Sequence, residues 1–244
     1  MKTDRVINVN RLSKHFGAFK AVDQISFEVK AGEIFGFLGA NGAGKTTAMR
    51  MLTGLLKPTS GEAEVAGFDV FSQSEQIKRR IGYMSQKFSL YEDLSISENI
   101  RFFGHIYGMK PKRIKQRREQ LLEELELAGQ ANAKVGSLPL GWKQKLAFAV
   151  SMLHEPAIVF LDEPTGGVDP LTRRQFWEMI YAAAARGVTL FVTTHYMDEA
   201  EYCNRVSIMV DGHISAMGAP NELKEQFKVE TMDEVFVQLA RGKK

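Results

Sequence analysis

The sequence predicts an α/β fold: a mostly parallel sheet, an antiparallel β part at the N-terminus and an inserted block of helices. Three observations point to it. A glycine-rich segment, GANGAGKTT at residues 39–47, lies between an apolar run, Ile34-Phe35-Gly36-Phe37-Leu38, and a helix-compatible stretch, Ala48-Met49-Arg50-Met51-Leu52. Two apolar runs, AIVFLD at 157–162 and TLFVTT at 189–194, flank a helical pattern at 171–186, which suits parallel strands covered on both faces. Between about 90 and 150 the apolar spacing turns helical.

Taken in order, residues 5–12 and 22–30 read as strands, because Ile25, Phe27 and Val29 alternate with Ser26, Glu28 and Lys30. Residues 65–67 and 81–84 read as further short strands. Helices are expected over 98–108, 113–129 and 142–153. Past the second apolar run, strands at 206–210 and 213–216 meet at Asp211-Gly212, a hairpin signal. TMDE at 231–234 fits a capping box that opens a last helix. The expected organisation is a single domain over 1–244, with a helical subdomain at about 90–150 inserted in it.

Composition narrows the functional classes. An apolar content of 44% and a charged content of 25% are ordinary for a globular chain. A formal charge of +3 is too small to argue for nucleic acid. The single cysteine, Cys203, cannot form an internal disulfide, which fits a reducing cytoplasm. No segment approaches the ~20 apolar residues that span a bilayer, and MKTDRVINVN lacks the apolar core of a signal peptide. A soluble protein is expected, with any membrane role exercised through a partner.

Gly39, Ala40, Asn41, Gly42, Ala43, Gly44, Lys45, Thr46 and Thr47 contain a complete G-x-x-x-x-G-K-[ST] pattern in the strand–loop–helix context it requires. Its glycines let backbone N–H groups turn inward as an anion nest, and the following helix adds its positive end. Lys45 can then reach the terminal phosphates of a nucleoside triphosphate, and the Thr46 hydroxyl can ligate magnesium. Phosphoryl transfer needs a second acidic position and a group that orients water. At the end of the run 157–163, Asp162 is the candidate for magnesium and Glu163 for the attacking water.

With these motifs the chain resembles the ATP-binding subunits of ABC transporters, over about residues 5–240. The resemblance implies a P-loop NTPase (RecA-like) core. It also implies that Phe16 in KHFGAF stacks on adenine and that Gln86 ligates magnesium and reports nucleotide state to the helices. Asp169 in TGGVDP matches the loop that crosses between two subunits, and His195 in FVTTHYMDEA the histidine that contacts the γ-phosphate. One element departs from the family pattern. Where L-S-G-G-Q is usual, residues 138–145 read LPLGWKQK, with Leu138, Gly141 and Gln144 in register and Lys145 keeping the charge. Pro139 has neither the hydroxyl nor the N–H of the usual serine, though proline suits a first helical position. The N–H groups of Leu140, Gly141 and Trp142 could still face an anion.

The resemblance implies an ATPase that takes ATP and Mg2+ and closes head-to-tail with itself or a second ATP-binding subunit. It would power an integral-membrane permease from the inner face of the cell membrane and need no nucleic acid. LPLGW and TMDEVFVQLARG resemble the multidrug and antibiotic efflux branch. An alternative from another class is an ATP-gated dimerising module with weak hydrolysis, motivated by Pro139. A soluble relative acting on ribosomes or DNA usually carries two cassettes or a long coiled coil, and 244 residues hold neither.

Two further features have plain readings. The basic run Lys110, Lys112, Arg113, Lys115, Arg117 and Arg118 reads as a solvated helix face, with anionic lipid headgroups as the sharper possibility. Phe88, Leu90, Tyr91, Phe102, Phe103 and Tyr107 read mostly as the core of the helical block, with Phe88 and Tyr91 first among those that could line a groove for the permease.

Overall fold

The computed structural model describes residues 5–86 and 90–241. Strands β1 (Arg5–Phe16), β2 (Phe19–Lys30), β4 (Ser60–Val65) and β5 (Phe68–Asp69) form an antiparallel sheet in the order β2-β1-β4-β5. The second sheet contains β3 (Ile34–Leu38), β6 (Ile81–Met84), β7 (Ile158–Asp162), β8 (Thr189–Thr194), β9 (Arg205–Val210) and β10 (His213–Gly218). Its order is β10-β9-β3-β8-β7-β6, parallel throughout except at β10. Eight α-helices accompany these strands among the described residues: α1 (Lys45–Leu52), α2 (Ser74–Arg80), α3 (Ile96–Ile106), α4 (Pro111–Glu124), α5 (Leu140–Ser151), α6 (Pro170–Ala185), α7 (Pro220–Phe227) and α8 (Met232–Arg241). None of the helices among the described residues is long and apolar enough to cross a membrane.

Alternation along the strands builds two cores from one sheet. On one face of the parallel sheet, Phe35, Phe37, Phe160 and Phe191 meet Phe27 of the antiparallel sheet and Met49 of α1. Phe191 lies at the centre, its ring 5.2 Å from Phe160, 5.4 Å from Phe37, 5.6 Å from Phe35 and 6.1 Å from Phe27. On the other face, Leu38, Leu161 and Val192 pack with Phe148 of α5 and Phe176 and Trp177 of α6. That core continues without a break to Ile100 of α3 and Leu121 of α4, so the helices between β6 and β7 share it with the sheet. Both faces of β3, β7 and β8 are therefore buried, and these strands read as continuous apolar runs.

Most predicted elements stand. The hairpin at Asp211-Gly212 has φ of 49° and 79°, the positive values such a two-residue turn needs. The last helix opens on the predicted box: Glu234 N–H donates to Thr231 Oγ1 (3.3 Å), and Thr231 N–H to the Glu234 carboxylate (3.0 Å). Residues 65–67, predicted as a strand, are instead the end of β4 and the turn into β5, with Ala66 at φ 53°. The helix predicted over 113–129 stops at Glu124, because Glu126 turns left-handed at φ 55°. Two short helices, α2 and α7, had no prediction. α2 buries only Ile77, so it has no apolar stripe to read.

Tyr91 and Phe102 are exposed and meet edge to face at 4.9 Å, so they do not build the core of the helical block; Leu90, Ile96 and Ile100 do. Tyr107 stacks on His154 at 3.8 Å. Phe88 lies outside the described residues. In the basic run, Arg113 makes two 2.8 Å bonds to the Glu155 carboxylate, and Arg117 approaches it at 3.9 Å. Part of that run is thus committed to an ion pair within the chain.

Phe191→Ala is expected to destabilise the protein by about 3–5 kcal/mol, since it empties the centre of a five-ring cluster. A urea denaturation midpoint within error of the parent would contradict this.

Candidate functional site

The register of three strands gathers the predicted residues. Leu38 at the end of β3 pairs with Thr194 of β8, and Asp162 at the end of β7 pairs with Thr193. The glycine-rich loop, Glu163 and His195 therefore leave the same edge of the sheet side by side, the usual ligand position in parallel α/β folds. Met84, paired with Leu161, brings Gln86 to that edge from β6.

Glycine is a steric requirement in the loop. A Cβ on Gly39 would sit 2.4 Å from the Met209 carbonyl oxygen. Gly44 has φ 105°, and a Cβ there would sit 2.4 Å from the Ala21 carbonyl oxygen. Gly39, Ala43 and Lys45 are buried, whereas Ala40, Asn41, Gly42 and Thr46 face solvent at the mouth, with Thr47 half-buried. Lys45, at the start of α1, bends back: its Nζ donates to the carbonyls of Gly39 (2.8 Å) and Ala40 (3.1 Å) and lies 3.6 Å from Glu163 Oε1. Burial lowers the Lys45 pKa, and the Glu163 carboxylate opposes that shift.

Asp162 is buried. Its Oδ1 accepts from Thr193 Oγ1 at 2.6 Å and from Thr46 Oγ1 at 3.3 Å. Desolvation raises its pKa above the ordinary carboxylate value, against the lowering effect of those bonds. Glu163 takes a left-handed backbone (φ 47°), unusual for a non-glycine residue, and its N–H donates to both the carbonyl and the hydroxyl of Thr193 at 3.1 Å. Its carboxylate accepts from Gln86 Nε2 at 2.9 Å and lies 3.1 Å from His195 Nδ1. Lys45, Gln86 and His195, from three different segments, thus converge on one carboxylate that is 8% exposed.

The other predicted residues lie elsewhere. Phe16, at the end of β1, is exposed, with the Lys14 ammonium 5.2 Å from its ring. Further along β2, the Ala21 carbonyl abuts Gly44, which puts this hairpin beside the loop. Leu140, Gly141 and Asp169 line a cavity of about 1410 Å3 together with Trp142, Gly167 and Thr172. Neither Lys45 nor Glu163 lines it. Pro139 caps α5 and precedes its first residue, one position before the predicted one. Trp142 N–H donates to the Pro139 carbonyl (3.0 Å), so of the three N–H groups predicted to face an anion, that of Trp142 is engaged. Gly141 lies against α6, where a Cβ would come 2.4 Å from Thr172 Cγ2. Asp169 is the N-cap of α6; bonds from Thr172 Oγ1 (2.6 Å) and Thr172 N–H (3.0 Å) hold its carboxyl below the usual range. Leu140 also borders a small cavity of about 180 Å3 shared with Gln86, Gln144 and Glu163.

A family model described as ABC transporter matches residues 22–166. The chain belongs to the ABC transporter family. The probable multidrug ABC transporter ATP-binding protein YbhF of Escherichia coli is 48% identical over 241 residues, covering 97% of this chain and 42% of that protein. The Nod factor export ATP-binding protein I of Burkholderia lata is 40% identical over 220 residues, covering 90% of this chain and 72% of that one. The chain therefore spans less than half the length of the first of these relatives. A solved structure described as the ATP binding subunit of an ABC transporter superimposes with a TM-score of 0.85 at 28% identity, covering 96% of this chain and 99% of that one. The chain has the P-loop NTPase fold of that ATP binding subunit, as its sequence leads one to expect.

Sequence reasoning passed over Thr193, which serves both Asp162 and the Glu163 backbone. The available signal was a pair of hydroxyl residues closing an otherwise apolar strand, TLFVTT.

Because burial raises the Asp162 pKa, the folded state favours the neutral acid, and its ionised form costs stability near pH 7. Asp162→Asn is therefore expected to raise the Tm of the nucleotide-free protein at pH 7. The gain should shrink as pH falls to where the parent carboxyl is protonated in both states. A lower Tm at pH 7 would contradict the assignment.

Proposed function

We propose that this chain hydrolyses ATP with magnesium and so powers a separate membrane permease for export. The observation that carries the proposal is the convergence of Lys45, Gln86 and His195 on the Glu163 carboxylate, next to Asp162 and the glycine-rich loop. In this reading, backbone N–H groups of residues 39–47 receive the phosphates, and Lys45 exchanges its bonds to the Gly39 and Ala40 carbonyls for phosphate oxygens. Glu163 accepts a hydrogen bond from the attacking water. His195 steadies Glu163 and donates toward the γ-phosphate. Phe16 stacks on the adenine.

The oxygens present fit magnesium. Thr46 Oγ1 and Asp162 Oδ1 are 3.3 Å apart, and a hard ion that keeps several waters needs only one or two protein oxygens besides phosphate. Gln86 directs its Nε2 to Glu163, which leaves its carbonyl oxygen as the third candidate ligand. When bound, magnesium would neutralise charge on the phosphate oxygens.

The rest of the proposal concerns assembly. Two such subunits would close head-to-tail, with Leu140, Gly141 and Asp169 of one completing the nucleotide site of the other. Gly141 and Asp169 line an open cavity that neither their own Lys45 nor their own Glu163 lines, which favours service in trans. We read residues 1–244 as a single ATPase domain whose helices between about 90 and 150 form a subdomain toward the permease, where exposed Tyr91 and Phe102 offer an apolar docking face. That assembly would sit on the cytoplasmic face of the cell membrane. The names of the multidrug and Nod factor export relatives support export over import. An ATP-gated module with weak hydrolysis is the lesser reading, since the hydrolytic carboxylate keeps all three partners.

Glu163→Gln should still bind ATP while losing turnover by at least about 100-fold, the effect expected for a group acting on the attacking water. Steady-state phosphate release with and without magnesium measures it. Unchanged turnover in the variant, or none in the parent, would refute the proposal.

A further inference from the structure

We infer that Glu199 is a positioning residue that fixes His195 against Glu163 through a second cross-link, made by Thr165 and braced by Arg173. The inference rests on the proposed ATPase reading, in which Glu163 and His195 act on the water and the γ-phosphate.

Glu199 is 0% exposed. A buried carboxylate is costly unless paired, and an apolar side chain of similar volume is often as stable, so folding alone does not call for an ionisable group here. Its Oε1 accepts a short hydrogen bond from Thr165 Oγ1 and lies 3.6 Å from Arg173 Nε. Its Oε2 has no hydrogen-bond partner among the described residues. No predicted role used this group.

Its place in the chain gives it a function. Glu199 belongs to a 3-10 turn, Met197–Tyr202, that begins two residues after His195 with Tyr196 as its N-cap. Thr165 follows Glu163 by two residues. These two segments leave the paired strands β7 and β8, and three bonds in succession join them. The Glu163 N–H meets the Thr193 carbonyl, the Glu163 carboxylate meets His195 at 3.1 Å, and Thr165 meets Glu199. The last bond closes the bracket on its far side, so neither segment can swing without breaking it.

Arg173 ties α6 into the same bracket. Its guanidinium lies 4.3 Å from the centre of the Tyr196 ring, and its Nη1 lies 3.4 Å from Asp198. Tyr196, Asp198 and Glu199 are all on the turn after His195, and α6 begins at the loop capped by Asp169. A shift of residues 166–169 is thereby felt at His195. On the other side of that loop, the Gln144 amide donates to the Gly166 carbonyl at 3.1 Å.

The test uses the whole chain and three variants, Thr165→Val, Glu199→Gln and Glu199→Ala. Thr165→Val removes one donor and is expected to lower kcat about 5–20-fold while KM for ATP stays within about twofold, the effect of one hydrogen bond used in positioning. Without nucleotide, amide hydrogen exchange in residues 163–169 and 195–202 should quicken, with the rest of the chain unchanged. Glu199→Gln keeps a carbonyl acceptor and should stay within about threefold of the parent kcat. Glu199→Ala should fall at least as far as Thr165→Val, and adding Thr165→Val to it should slow it no further, as expected for partners in one bond. If Glu199→Ala does not fold, Thr165→Val decides alone. Parent kcat with unchanged exchange in Thr165→Val, or independent multiplying effects in the double variant, would overturn the inference and leave the ATPase reading intact. A parent without magnesium-dependent turnover would overturn both.

Discussion

One buried ion pair organises this molecule. Lys45 is buried, and the Glu163 carboxylate, 3.6 Å away, opposes the burial that lowers its pKa. Glu163 in turn cannot relax its left-handed backbone, because its N–H is tied to Thr193. Each charge offsets part of the cost of burying the other. The two-sided apolar sheet, the glycine contacts at 39 and 44, and the bonds from Gln86 and His195 all serve to keep these two charges in place.

The same pair makes the site responsive. Lys45 spends its other donors on the carbonyls of Gly39 and Ala40, which are poor partners next to a phosphate oxygen. In the proposed reading, a triphosphate would give that ammonium a better acceptor and loosen its hold on Glu163. The carboxylate would then be left to Gln86 and His195, which come from different strands and lead to different parts of the chain. Gln86 precedes the helices between β6 and β7, and His195 precedes the turn that contains Glu199.

Much of this was legible in the sequence because it is local. GANGAGKTT encodes its own turn, and AIVFLDE and TLFVTT announce buried strands that end in polar residues. A strand's last residue sits at the sheet edge wherever the sheet goes, so Asp162, Glu163 and His195 could be placed before any topology was known. What stayed hidden depends on packing between distant segments. The turn at Ala66 is set by the pairing of β4 with β1, and α2 carries a single buried residue. Thr165 and Glu199 are 34 positions apart, and nothing in a threonine after Glu-Pro or a glutamate after Met-Asp says that they meet. Exposure misleads in the same way: Phe102 belongs to an aromatic-rich stretch that reads as core, yet Leu90, Ile96 and Ile100 fill that part of the core.

The departure at Pro139 is best weighed by what its neighbours do. Gly141 has no room for a side chain against Thr172, and Thr172 also bonds Asp169, so the start of α5 and the cap of α6 form one packed unit. Gln144, one turn further along α5, holds the Gly166 carbonyl. A serine hydroxyl at 139 would add one donor to a surface whose position is already fixed by these contacts. Its absence leaves intact the linkage from that surface through residues 163–169 to Glu163. The first-turn N–H groups of Leu140 and Gly141 have no carbonyl one turn back in the helix, and in the proposed dimer they would be the donors offered to an anion. Proline, which cannot donate, is the residue that fixes where those donors begin.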